Sequence, residues 1–128
     1  MPTRQKIRRS AGLRAAFQPG SRALPVRELR HALGLNRRLF SRLTGYSERA
    51  IADWEAGKVV SDSTRQRLTE IQRLQQALAH VMKGAFVGPW LQSPNPAFDG
   101  FKPIEIVERG EIDRIWRLIF LLEAGQPG

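Results

Sequence analysis

The sequence has no cysteine, only two histidines, and no apolar run near the roughly 20 residues that a membrane helix needs. Each scarcity closes off some chemistry. Without cysteine there are no disulfides and no thiolate metal sites, and a reducing, cytoplasmic setting suits the chain. His31 and His80 lie far apart, and the metal-ligand pair His-x-x-x-His is absent. His31 sits in a short predicted helix and His80 lies off an apolar stripe, so both read as surface residues. Gly84 and Gly88 are not followed by Lys-Ser or Lys-Thr and do not form a phosphate loop. Glu105, Glu108, Glu111 and Asp113, interrupted by Gly110, are spaced as a solvated acidic face rather than as a catalytic carboxylate pair. The basic N-terminus lacks the apolar core of a secretory signal. The expectation is a protein that is not an enzyme, holds no cofactor or metal, and has no membrane partner.

What is present is positive charge, unevenly placed. The net charge is +9 over 128 residues. Residues 1–58 carry 13 Lys+Arg against 4 Asp+Glu, while residues 59–128 carry 8 of each. The whole excess sits in the first half, which suggests a polyanion partner there and a different partner for the second half. Residues 1–21, with Arg4, Lys6, Arg8, Arg9 and Arg14, read as a basic arm able to lie along DNA phosphates.

Apolar spacing predicts helices throughout, hence an all-α fold. The first helix is expected over 25–33, with Pro25 at its first position and Gly34 at its end. A second is expected over 37–44 behind the cap Asn36, and a third over 48–56 behind Ser47, with Gly45 making the turn between them. Two helices this short are not stable alone and must pack on each other across that glycine, as in a helix-turn-helix. Ser63 and Gln66 read as a capping box opening a long fourth helix over 64–82, with Leu68, Ile71, Leu74, Leu78, Val81 and Met82 on one face. The pattern loosens over 83–89, where a domain boundary is expected.

The residues of this pair carry a resemblance. Leu33-Gly34, Phe40-Ser41, Leu43, Gly45, Ser47, Ile51, Trp54-Glu55 and Gly57 resemble, without a gap, the Xre/Cro-repressor type of helix-turn-helix over about 26 of 128 residues. The resemblance implies major-groove binding by the third helix, usually as a dimer on a pseudo-palindrome. The N-terminal residues of such a helix meet base edges, so Ser47, Glu48, Arg49, Ala52 and Asp53 are the reading candidates. Arg37, Arg38 and Lys58 complete the DNA-binding set. Arg37 replaces the glutamine that contacts DNA in the family, and a phosphate contact suits it better than a base contact. Asn36 replaces the family's serine cap and Tyr46 a small apolar turn residue. Glu55 is expected to be structural.

Beyond the loosened segment, Asn95 and Pro96 read as cap and first position of a one-turn helix. Pro103 opens a helix over 104–109 closed by Gly110, and a last helix is expected over 111–123, ended by Gly125. That last helix is apolar nearly all round. Ile112, Ile115, Trp116, Ile119 and Leu122 fill one face, and Leu118, Phe120 and Leu121 cover most of the rest. Such a helix must be covered on more than one side, by another chain or by the fourth helix.

Trp90-Leu91, Pro94-Asn95-Pro96, Phe98, Gly100, Pro103, the 108–111 segment and the closing apolar helix resemble the MbcA/ParS/Xre toxin-binding domain over 84–125. With the Xre-like head before it, this resemblance implies an antitoxin whose partner is a RES-domain toxin that consumes NAD⁺, and whose complex represses its own operon. The implied organisation is an arm over 1–21, a DNA-binding domain over 22–83 and a toxin-binding domain over 84–128. Trp90, Phe98, Phe101, Trp116, Phe120, Leu121 and Glu123 are the expected toxin contacts, with the 123–128 tail covering the toxin's NAD⁺ site. The competing expectation is a stand-alone repressor whose C-terminal helices only dimerise it.

Overall fold

The computed structural model of the protein describes residues 25–125, so the basic arm expected over 1–21 and the last three residues of the tail lie outside the described part. Seven α-helices and one 3-10 turn make up the described residues, with no strand among them, and the all-α expectation holds. Helix α1 spans Val26–Ala32, α2 Arg37–Thr44, α3 Glu48–Glu55, α4 Asp62–Val81, α5 Gly84–Leu91, α6 Pro103–Glu108 and α7 Ile112–Glu123. The 3-10 turn is Pro96–Phe98.

The ends of the first three helices follow from local chemistry. Pro25 caps α1 from just outside it, and its carbonyl accepts from the Leu29 amide at 3.0 Å. The α2 cap is Asn36, whose Oδ1 accepts from the Leu39 amide at 2.8 Å. The α3 cap is Ser47, whose Oγ accepts from the Ala50 amide at 3.1 Å. Asn36 and Ser47 each take up one of the orphan donors at a helix start, whereas the Pro25 carbonyl accepts the first regular helical bond of α1. Between α2 and α3 the chain turns at Gly45, whose φ of 85° is strained for any residue with a Cβ.

Two expectations are corrected. Helix α4 begins two residues early, at Asp62, because Ser61 rather than Ser63 is the cap, accepting from the Thr64 amide at 3.3 Å. This choice puts Asp62 in the first turn, where the helix dipole favours a carboxylate. The segment 84–89, expected to loosen, is helical and continues to Leu91 with Pro89 inside it. The reason is long-range packing. Gly88 is buried against the turn that follows α1: a Cβ there would stand 2.8 Å from the Gly34 carbonyl oxygen and 3.1 Å from the Gly34 Cα. This glycine allows a backbone-to-backbone approach instead of marking a break.

Helix α4 is the central strut. Its twenty residues span about 30 Å. It packs against α1 and α2 on the head side and against α5 and α7 on the other. Leu68, Ile71, Leu74 and Leu78 form its buried stripe, with Val81 and Met82 half-buried at its end. They meet Val26, Leu29, Phe40, Leu43 and Ile51 from the first three helices and Val87, Leu91, Ile104, Ile106, Ile115 and Ile119 from the later ones in one continuous core. A second joint runs from α2 to α6, which pack side by side. There Arg42 donates to both carboxylate oxygens of Glu108, at 3.1 and 2.7 Å.

The expectation for the last helix is met in position and altered in burial. Ile115 and Ile119 are buried and Ile112 and Leu118 half-buried, but Trp116, Phe120, Leu121 and Leu122 are exposed. Trp116 and Leu122, placed above on the covered face, sit at its edges, because α4 and α6 reach the helix from one side.

Candidate functional site: a basic helix pair and an uncovered apolar helix

Helices α2 and α3 pack across the Gly45 turn and present most of the predicted DNA-binding side chains to solvent. Arg38, Ser47, Glu48, Arg49 and Lys58 are exposed, and Ala52 and Asp53 half-buried. Arg38, Arg49 and Lys58 give this surface its unneutralised positive charge; Glu48 and Asp53 oppose it locally. The Ser47 hydroxyl is engaged as the α3 cap, which leaves its proton and one lone pair to offer a base. Inside the pair, Tyr46 and Trp54 meet edge to face with ring centroids 5.1 Å apart, and the Ser41 hydroxyl donates to the Tyr46 carbonyl oxygen. The bulky turn residue is therefore packed on the third helix.

Beneath this surface lies an ion cluster. The Glu55 side chain is 0% exposed and accepts from three arginines. Arg30 donates through Nε at 2.7 Å and Nη2 at 3.0 Å, Arg37 through Nη2 at 3.2 Å and Arg27 through Nε at 3.4 Å. Arg30 also donates to the Leu35 carbonyl oxygen at 3.2 Å, which ties the end of α1 to the start of α2. The Arg30 hydrogen bonds, joined by Arg37, hold the Glu55 carboxyl down to about 2 against the opposing effect of burial. The structural role expected of Glu55 is thus a specific one: it joins α1, α2 and α3. Arg37, placed among the DNA-binding residues, has this internal partner while staying open on its outer side. Arg27 and Arg30 were missed by sequence reasoning, because nothing in a local pattern links residues 25 or more positions apart.

At the other end of the molecule the predicted toxin contacts divide. Phe98 is 2% exposed and belongs to the core, where it meets Trp90 edge to face at 6.3 Å; it supports the surface rather than lying on it. Trp90 is half-buried. Phe101 is exposed and stacked by the Arg109 guanidinium, 4.7 Å from its ring centroid. Trp116, Phe120 and Leu121 share one open groove along α7 with Asp113 and Arg117. Phe120 is 70% exposed. Leu122 and Glu123 line a second depression with His80 and Val81, where the ends of α4 and α7 lie together. Arg114 holds the neighbouring turn by donating to Glu111 at 2.9 Å and to Asp99 at 3.2 Å. Among the described residues no three His, Asp or Glu side chains are grouped to hold a metal ion, and no helix is long and apolar enough to cross a membrane.

A polar pair of short helices at one end and an open apolar helix at the other define a small all-α protein with two unlike surfaces. No protein-family model matches the chain. Individual relatives do. The chain is 34% identical over 94 residues, 73% of its own length and 83% of the relative's, to the mycobacterial cidal antitoxin MbcA of Mycobacterium bovis. The same figures hold for MbcA of Mycobacterium tuberculosis. The chain belongs to the family of this antitoxin. Among solved structures, a chain in the crystal structure of the M. tuberculosis MbcT–MbcA toxin–antitoxin complex superposes with a TM-score of 0.67 at 32% identity, covering 80% of this chain and 94% of that one.

Proposed function

We propose that this protein is the antitoxin of a type II toxin–antitoxin pair. It neutralises a RES-domain, NAD⁺-degrading toxin by direct binding, and it represses its own operon through the α2–α3 helix-turn-helix. The matching organisation is a DNA-binding head over 22–83 and a toxin-binding module over 84–128, in a cytoplasmic homodimer that enters a larger hetero-oligomer. The observation that carries the reading is the uncovered apolar side of α7 in a chain whose relatives are antitoxins. Covering an apolar side chain of this size is worth about 1.5–3 kcal/mol, so Trp116, Phe120 and Leu121 offer a partner a strong anchor. Trp90 and Phe101 flank that anchor in this reading, and Glu123 leads into the tail. In the head, Arg49 reads a base, while Arg37, Arg38 and Lys58 hold phosphates.

Co-expression with the product of the adjacent reading frame tests the reading. The expected result is co-purification and rescue of growth, with Phe120→Ala/Leu121→Ala weakening the complex by at least about 2 kcal/mol, or 30-fold. Isolation of a pure homodimer that neither binds the neighbouring product nor rescues growth favours a stand-alone repressor instead.

A further inference from the structure

The ion cluster around Glu55 contains more positive charge than its own geometry uses. Three arginines surround one carboxylate, which leaves two net positive charges at the meeting point of α1, the start of α2 and the end of α3. Arg30 is spent: its side chain is 13% exposed and its donors go to Glu55 and to the Leu35 carbonyl oxygen. Arg27 and Arg37 differ. Their side chains are 60% and 43% exposed, and each uses one nitrogen on the same Glu55 oxygen. Sharing that oxygen brings one nitrogen of each guanidinium to the same point, and the exposure of both side chains leaves their remaining donors for a ligand. Guanidinium forks match the oxygens of a phosphate and lose little freedom when already held.

We propose that Arg27 and Arg37, held by the buried Glu55 carboxylate, form a preset seat for one backbone phosphate of duplex DNA beside the reading helix. The inference rests on the DNA-binding part of the function proposed above. The position favours a DNA phosphodiester over a free anion. The seat lies at the base of the helix pair, and when the second helix of such a pair enters the major groove, the first crosses the backbone. Glu55 acts here as a positioning residue that never meets the DNA. The seat carries no sequence information, because a phosphate is the same beside every base. Discrimination among sites is then left to the exposed start of α3, with Arg49 its strongest donor.

Binding of the full-length protein to a duplex from its own upstream region and to a scrambled duplex of equal length, over a series of salt concentrations, tests this. Arg27→Ala/Arg37→Ala is expected to weaken both duplexes by the same factor and to lower the slope of log K against log salt by about 0.9, the value of one phosphate contact. Arg27→Lys/Arg37→Lys keeps the charge and should restore most of that slope. Thermal melting of each variant separates binding from folding: a structural role alone moves the melting temperature and leaves the slope in place. Wild-type binding with an unchanged slope in the double Ala variant overturns the seat and leaves the DNA reading standing. A loss confined to one duplex likewise overturns the seat, since it makes the pair a base reader. If the wild-type protein binds neither duplex even at low salt, the DNA reading falls and the seat falls with it.

Discussion

The two ends of the molecule handle their surplus in opposite ways. At the head, α1, α2 and α3 are short, polar and locked by charge: one covered carboxylate gathers three arginines. At the far end, α7 is longer and apolar, and much of its surface is covered by nothing among the described residues. The head therefore satisfies its charged core internally and shows a surface that suits a charged ligand. The last helix buries one side and leaves Trp116, Phe120, Leu121 and Leu122 open. In the function proposed above, stability and binding are separable on α7, where they lie on opposite faces of one helix. In that same proposal they are entangled in the head, where Arg37 holds Glu55 and is given a phosphate.

The sharpest way to expose this difference is on α7. Replacing Ile115, fully buried, by Ala should cost about 2–5 kcal/mol in urea unfolding, whereas Phe120→Ala should change stability by no more than about 0.5 kcal/mol while removing the proposed partner contact. Comparable losses in both variants would mean that Phe120 is covered within the free protein, and the contrast would collapse.

The head should respond to acid instead. A carboxyl held at about 2 in the folded chain, against an ordinary value near 4.5, stabilises the fold above the ordinary value and loses that contribution as pH falls toward 2. The amount is on the order of 2–3 kcal/mol. Melting temperature followed from pH 5 to pH 2 should fall for the wild type. In Glu55→Gln the start should be lower and that part of the slope missing. Parallel curves for the two proteins would show that Glu55 titrates normally.

The smallest effect belongs to the joint between the regions. Arg42 and Glu108 form a forked pair, and the Arg42 hydrogen bonds lower the Glu108 carboxyl, but both side chains are more than a third exposed. A double-mutant cycle with Arg42→Ala and Glu108→Ala should give a coupling below about 1 kcal/mol, further reduced by salt. A larger value would mean that charge, and not the shared apolar core, holds α2 on α6.

What could be seen in the sequence was what nearby residues decide. Asn36, Ser47 and Asn95 sit two or three positions from the amides they cap, and Gly45 and Gly110 stop or turn the chain by their own backbone. These placed six of the seven helices and the 3-10 turn. Where two local signals competed, as Ser61 and Ser63 do, the spacing could not decide; the winner places Thr64 and Arg65 on the covered side of α4. Contacts between distant residues left no trace. Arg30 and Glu55 are 25 positions apart: Arg30 reads alone as an ordinary surface charge, and the structural role expected of Glu55 came without its partners. Gly88 imitates a helix breaker because the backbone it makes room for belongs to the turn after α1. On α7 the apolar surplus was plain from composition, but which side chains were surplus depended on the direction from which α4 and α6 approach. Phe98 shows the same limit: an aromatic that suits a contact surface by type lies in the core by position.

The contact between Gly34 and Gly88 bears on how such chains can be recombined. A head lifted from another helix-turn-helix protein would have to bring a residue without a side chain at the end of its first helix and find another waiting on α5. A Cβ at Gly88 would stand 2.8 Å from the Gly34 carbonyl oxygen and one at Gly34 3.1 Å from the Gly88 Cα, so a side chain at either position pushes the two backbones apart and loosens the core they share. The two halves are therefore not interchangeable cassettes. A designer who wants a different head surface on this scaffold should rewrite the exposed side chains of α3 in place rather than exchange the head.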